Sequence, residues 1–309
     1  MEKLPILILT FNRIEGADKL LSSLRLYQPS LIYIASDGPR GDRPGECEDV
    51  LAVRKYIEGG IDWDCQIKTL YRKSNLGCKV AVNEAVQWFF HEVPKGIVLE
   101  DDCIPNVDFY QYCEVMLSRY QNDFSVGTIT GRNELGFIEC DAITFSSKFI
   151  CWGWASWASR VLDVDVEYGY KKDDKLLFSS NDLVEYLHIN SMRGGMLTKQ
   201  VNSWAFSYDF SFRKKKQLCI VPRYNMVENV GFGELGTHSS SRLSDGVPIG
   251  SDESIDYLNS NYIKPKVNVD YVKRYILFLY PYPKLMLLSC IKYLYRFRSL
   301  YRFFSNFGK

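Results

Sequence analysis

Gly96-Ile97-Val98-Leu99-Glu100-Asp101-Asp102-Cys103-Ile104-Pro105 is the stretch on which the reading of this chain turns. A short apolar run with the composition of a buried parallel strand ends in three consecutive carboxylates and a proline. Adjacent carboxylates repel one another, and a divalent cation held through oxygen atoms relieves that repulsion. In open α/β sheets ligands sit beyond the carboxyl ends of the strands, which is where this trio falls. A bare acidic triplet also reads as a solvated turn; the buried strand before it and Pro105 after it favour a metal.

The flanking sequence repeats the strand-then-polar pattern. Pro5–Thr10 reads as a strand, Gly16–Leu26 as a helix and Leu31–Ser36 as a second strand. Glu46–Glu58 reads as helical, Gln66–Tyr71 as extended and Lys79–Glu92 as helical. Asp108–Tyr120 has helical periodicity, with Phe109, Cys113, Met116, Leu117 and Tyr120 near one face. Strands alternating with helices of this length predict an α/β fold, Rossmann-like, with a mostly parallel sheet flanked by helices.

Polar groups follow each strand: Thr10-Phe11-Asn12-Arg13, Asp37-Gly38-Pro39-Arg40, Arg72-Lys73-Ser74-Asn75-Leu76-Gly77, and the acid trio. All would line one edge of the sheet. Arg13, Arg72, Lys73 and Lys79 facing the acids would suit a nucleoside diphosphate with its metal, and Thr10 sits at the same edge. No G-x-G-x-x-G follows the first strand and no G-x-x-x-x-G-K-[ST] occurs anywhere, which argues against a dinucleotide dehydrogenase and a P-loop NTPase. A nucleotidyltransferase making sugar nucleotides would carry a glycine-rich loop after its first strand, and Thr10–Arg13 is not one.

The succession T-F-N-R, S-D-G-P, N-L-G and L-E-D-D-C-I-P resembles GT-A fold glycosyltransferases that use nucleotide sugars. More narrowly, it is similar to bacterial cell-envelope glycosyltransferases related to N-acetylglucosaminyltransferase I. The resemblance covers roughly residues 4 to 240 and includes Val126–Asn133, Trp152-Gly153-Trp154-Ala155-Ser156-Trp157, and Asn229-Val230-Gly231-Phe232-Gly233 with Gly236-Thr237-His238. It implies that Asp37 accepts a hydrogen bond from the base and that Arg13 holds the nucleotide. Glu100 and Asp101 would contact sugar or ribose hydroxyls, Asp102 would bind Mn²⁺ or Mg²⁺, and His238 would contact phosphate or metal. Two diphosphate oxygens and water would complete a site with so few protein ligands.

An inverting transfer also needs a carboxylate base. Many relatives have Asp directly after the Trp found here as Trp204, but this chain has Ala205. Asp209 lies four residues further on, on the same helical face, and is the expected base, with Glu134 or Glu228 as alternatives. Trp152 and Trp154 flank a glycine, so that an aromatic face is available to a sugar; Trp157 reads as core. Asn181–Gln200 reads as a mobile loop.

The 309 residues are 46% hydrophobic and 24% charged, enough for a sizeable core. Nine cysteines form no C-x-x-C pair, as expected of reduced cytosolic thiols. Met1-Glu2-Lys3-Leu4-Pro5 does not read as a signal peptide, and no apolar run reaches the roughly 20 residues of a membrane span. The net charge of +1 divides unevenly: residues 264–309 carry ten Lys or Arg against Asp270 alone, leaving −8 for residues 1–263. The expected organisation is therefore a GT-A domain over 1–263 and a basic, aromatic-rich tail over 264–309. Such a tail suits docking on an anionic membrane rather than nucleic acid, with the protein cytoplasmic and peripheral on the inner face of the cytoplasmic membrane. The expected partners are a nucleotide-sugar donor, UDP-linked in preference, and a glycan or lipid-linked acceptor of a surface polysaccharide. The alternatives are an inactive sugar- or partner-binding module of the same fold and a sugar-nucleotide pyrophosphorylase.

Overall fold

In the computed structural model, residues 3–139, 142–171, 182–231, 247–250, 261–281 and 283–287 are described. Eight strands form the central sheet: β1 (Ile6–Thr10), β2 (Leu31–Ser36), β3 (Gln66–Tyr71), β4 (Lys95–Glu100), β6 (Val126–Thr130), β7 (Ile143–Ser146), β8 (Trp154–Trp157) and β9 (Leu218–Pro222). Their order is β3-β2-β1-β4-β8-β6-β9-β7, and β5 (Cys103–Pro105) pairs antiparallel with β10 (Val227–Asn229) beside it. The first four strands are mutually parallel, and β8 and β7 run against their neighbours. This is the mostly parallel α/β sheet expected from the alternation of elements.

Burial on both faces follows from the residues of β1. Ile6 and Ile8 enter one core with Ile32, Ile34, Ile97 and Leu99, while Leu7 and Leu9 enter the other with Tyr33, Ala35 and Val98. A continuous apolar strand with period-two geometry needs a cover on each side. Helices α1 (Glu15–Tyr27), α2 (Glu46–Gly60) and α4 (Val107–Arg119) supply the first cover. Helix α3 (Cys78–Glu92) and helix α7 (Trp204–Lys214) supply the second, through Phe89, Phe90, Trp204, Tyr208 and Phe212. The periodic face of α4 is fully buried, and its start is set by Asn106, whose side chain accepts from the Phe109 N–H at 3.1 Å.

Two expectations are corrected. Most of Asn181–Gln200 is helix α6 (Leu183–Leu197), capped by Asp182, whose carboxylate accepts from the Val184 and Glu185 N–H groups at 2.8 and 3.1 Å. A Cβ at Gly195 would meet the Val201 side chain at 2.6 Å, so this glycine permits close packing. The division at 263/264 also does not separate body from tail. Helix α8 (Val269–Leu279) buries Tyr271, Val272, Tyr275 and Ile276 against Ile138, Ile150, Val184, Leu187 and Val221. Tyr271 and Tyr275 of the aromatic tail thus lie in the core, while Lys264, Lys266, Lys273, Arg274 and Lys284 are exposed. Composition separated the charged face of this amphipathic helix from the acidic body but did not reveal its apolar face.

If α8 is part of the fold, Ile276→Ala lowers stability by about 2–4 kcal/mol, as truncation of a buried isoleucine does. Urea denaturation measures it; an unchanged midpoint would show that the helix is detachable.

Candidate active site

The carboxyl ends of β1, β2 and β4 open into a cavity of about 520 Å³. Its walls bring together Thr10, Arg13, Asp37, Glu100, Asp101 and Asp102, joined by Arg40 and Arg72 and by the start of α3. The structure thus gathers Thr10, Arg13, Asp37, Arg72 and the acid trio, all expected at the site, at one sheet edge.

Asp101 organises this edge. One of its carboxylate oxygens accepts from Thr10 Oγ1 at 2.8 Å and from the Phe11 N–H at 3.2 Å, while its own N–H donates to the Leu9 carbonyl at 3.0 Å. The acid therefore ties the end of β4 to the loop after β1. Asp37 plays a similar part between β2 and α3. Its carboxylate accepts from the N–H groups of Gly38, Leu76 and Gly77 at 2.9 to 3.1 Å. Gly77, at φ +80°, holds the left-handed conformation that starts α3 at the cavity wall. That helix end presents backbone N–H groups and a positive dipole to the cavity.

The carboxylates themselves are electrostatically unfavourable as they stand. Burial, then Asp102 and Asp101, pushes Glu100 well above the usual carboxylate range. Burial and Asp102 raise Asp101 to about 7 against the opposing pull of Thr10, Phe11 and Arg13, and burial raises Asp102. Burial, then Glu100, Asp37 and Asp102, pushes the neighbouring Cys78 thiol up to about 12. Protonation or a bound cation would each relieve the acid trio. Among the described residues, however, no three His, Cys, Asp or Glu side chains are grouped to hold a metal alone. Asp102 fits a metal as one protein oxygen ligand, leaving other positions to ligand oxygens. A Cβ on Gly231 would stand 2.0 Å from Asp102 Oδ2, so the absence of a side chain there keeps this oxygen clear.

Arginine lines the remaining wall. Arg72 pairs with Glu84 at 3.0 Å through Nη2, while its buried Nη1 has no hydrogen-bond partner. Arg40 is paired with Glu46, which also accepts from Asn12 Nδ2 at 3.2 Å. The Arg40 guanidinium holds Glu46 below the usual carboxylate range. Asn12 and Arg40 were expected at this edge, but Glu46, which joins them, and Asn202 at the cavity wall were not singled out, because nothing local to residues 46 and 202 shows that they meet it.

Several expected residues are elsewhere. Lys79 Nζ pairs with Glu167 at 2.5 Å and lies 3.7 Å from the Tyr170 ring centroid, away from the acids. Trp154 is core, packed among Phe90, Phe149, Trp204 and Tyr208; its neighbour Trp152 is the one at the cavity wall. Trp152 lies before β8, across Gly153 at φ +62°, so the bend there and not strand alternation separates the two rings, which the tryptophan spacing alone did not show. Asp209 does not reach this cavity. One of its oxygens accepts from the Phe149 N–H at 2.7 Å and the other from Arg213 Nε at 2.9 Å, so both serve the fold. Glu228 is exposed on β10. His238 lies outside the described residues.

No protein-family model and no curated protein matches the chain. Among solved structures it is similar to HddC from Yersinia pseudotuberculosis, at 12% identity and a TM-score of 0.35, over 58% of this chain and 85% of that one. It is also similar to 4-diphosphocytidyl-2C-methyl-D-erythritolsynthase from Anaerococcus prevotii, at 10% identity and a TM-score of 0.36, over 73% and 89%. A UDP-glucose pyrophosphorylase bound to UDP-glucose matches at 8% identity and a TM-score of 0.35, over 72% and 91%. At this level of likeness the assignment of an activity rests on the site itself.

An acid whose pKa is raised on folding holds its proton more tightly in the folded chain. The stability gained is complete below its unfolded value of about 4 and is lost as pH rises towards the folded one. For Asp101 that window ends at about 7. The metal-free thermal midpoint of Asp101→Asn, relative to wild type, should therefore rise across this window. Mn²⁺ at neutral pH should raise the wild-type midpoint and leave that of Asp102→Ala unmoved; equal shifts in both would remove Asp102 from the metal site.

Proposed function

We propose that the protein is a metal-dependent glycosyltransferase that takes a sugar from a nucleoside diphosphate donor, UDP-linked in preference, to a glycan or lipid-linked acceptor. The observation that carries this reading is the single cavity in which Glu100, Asp101 and Asp102 face Arg13, Arg40, Arg72 and the start of α3. Asp102 with Mn²⁺ or Mg²⁺ and the arginines would meet the diphosphate. Negative charge that develops on the departing nucleoside diphosphate would be met by groups already in place. Thr10 and Asp37 border the position proposed for the nucleoside, and Glu100 and Trp152 that proposed for the sugar. His238 remains a candidate phosphate or metal contact from sequence alone.

With Asp209 committed to Arg213 and Phe149, the carboxylate offered as base for an inverting transfer is Glu134. It is buried beside Trp152, and burial raises it above the usual carboxylate range despite its ion pair with Arg132 at 2.9 Å. A pyrophosphorylase would use the same nucleotide cavity. It is disfavoured by Thr10–Arg13, which offers no glycine-rich loop after β1.

No helix among the described residues is long and apolar enough to cross a membrane. The exposed basic residues of the α8 region suit peripheral contact with an anionic leaflet, where a lipid-linked acceptor would be met. Binding to vesicles with anionic lipid should then weaken as salt rises and be absent from neutral vesicles; equal binding to both would remove this part of the reading.

A panel of UDP- and GDP-sugars with Mn²⁺ tests the activity. Slow donor hydrolysis is expected for the wild type, with kcat/KM about 100-fold lower in Asp102→Ala, as when a charge-stabilising group is lost. Arg72→Ala should weaken binding of free nucleoside diphosphate as well. Formation of nucleoside triphosphate from donor and pyrophosphate, without hydrolysis or transfer, would replace the proposal with the pyrophosphorylase reading.

A further inference from the structure

Beyond Trp152 lies a second, half-open cavity, of about 230 Å³, bordered by α6, α7 and α8. Trp152 lines both cavities. The second is mainly aromatic and aliphatic, with Phe149, Phe206 and Tyr275 among its walls, yet four ionisable side chains reach it: Glu134, Lys148, His188 and Asp209. All four are at least nine-tenths buried.

Two of them are incompletely satisfied. Lys148 Nζ lies 3.0 Å from His188 Nε2. Burial, with Lys148 and Arg213 nearby, holds His188 well below its ordinary pKa, so its ring is neutral and Nε2 accepts from the lysine. That assignment puts the ring proton on Nδ1, a buried donor without a partner. Glu134 gives one oxygen to Arg132 at 2.9 Å, and its buried Oε1 has no partner either. An unsatisfied buried polar group costs about 1–3 kcal/mol, and a guest whose hydroxyl groups met these two atoms, after a small turn of either side chain toward the cavity that both residues line, would recover it.

The charges are balanced. Lys148 and Arg213 stand against Asp209 and Glu185, with Arg213 bound to both acids, so nothing favours an ionic guest. The volume exceeds that of a few waters, at about 30 Å³ each, yet falls short of the roughly 300 Å³ at which drug-sized sites begin. Aromatic walls, paired hydroxyl partners, electroneutrality and this size together describe a recognition site for one neutral sugar ring.

We propose that the second cavity binds a neutral monosaccharide unit, the terminal ring of the acceptor. A hydroxyl of the ring donates to Glu134 Oε1, another accepts from His188 Nδ1–H, and the apolar face lies on the aromatic wall. The sugar-binding claim stands on the cavity alone; the word acceptor rests on the glycosyltransferase reading. Because Tyr275 belongs to α8, the C-terminal helix is a wall of this site, which gives its packing on the body a function.

The test uses the full chain and a panel of methyl hexosides and methyl N-acetylhexosaminides, with binding read by ligand-observed NMR. At least one glycoside should bind the wild type. Ala205→Phe, which fills the cavity from α7, should abolish that binding while leaving nucleoside diphosphate affinity unchanged. Glu134→Gln, which can still accept from Arg132, should weaken it about tenfold or more, the scale of a lost hydrogen bond to a charged group. If Ala205→Phe fails to fold, Phe206→Ala serves instead and should weaken binding through loss of the aromatic wall. Absence of binding by every glycoside, or binding indifferent to all these changes, overturns the proposal. Glycoside binding without any donor hydrolysis or transfer would retain the sugar site and overturn the glycosyltransferase reading.

Discussion

Three carboxylates in succession at the end of a buried strand impose the constraint to which the rest of this architecture answers. Asp101 meets it structurally: its carboxylate takes hydrogen bonds from Thr10 and Phe11, and its N–H binds the Leu9 carbonyl. The ends of β1 and β4 are thereby locked in register beside each other, consistent with the pairing of Leu9 with Glu100. Glu100 and Asp102 keep a raised proton affinity, caused first by burial. The sheet supports this concentration of charge because β1 and β4 are buried on both faces and have little freedom to splay.

At that edge and around the second cavity the polar residues divide into those that hold the wall and those left without a partner. Asp37 spends its oxygens on three backbone N–H groups, Glu46 is held by Arg40, and Asp209 bridges Phe149 to Arg213. Each aligns loops or helices that would otherwise be independent. Buried pairs of this kind add little net stability over apolar replacements, but removing one partner strands the other, so they favour a single arrangement. Among the buried atoms without a partner are Arg72 Nη1, of a residue lining the first cavity, and Glu134 Oε1 and His188 Nδ1, of residues lining the second. Ligand chemistry is expected at such atoms, because the folded chain alone leaves their desolvation uncompensated.

Helix α8 joins the two themes. Its buried face completes a satellite core with α6 and the end of β9, and its exposed face carries Lys273 and Arg274. One element thus borders the second cavity and presents positive charge outward. Charge counting isolated residues 264–309 as a unit by composition, but burial of Tyr271, Tyr275 and Ile276 makes the described part of that segment integral to the body.

Much of the fold was legible in the sequence because it depends on short-range pattern. Leu31–Ser36 and Gln66–Tyr71 are strands over the expected residues, and the face of α4 is buried as its periodicity required. The position of the acid trio beyond β4 followed from the apolar run before it. Partner choice across the fold was not legible. Whether Lys79 turned to the acids or to Glu167, whether Trp152 or Trp154 reached the cavity, and whether Asp209 was free or bound to Phe149 and Arg213 depend on residues distant in sequence. Side-chain period and composition specify which face an element buries, since burial is set locally by apolar area. Which polar atom meets which is decided only when the layers pack, because each buried group takes the nearest partner that the completed backbone brings within reach.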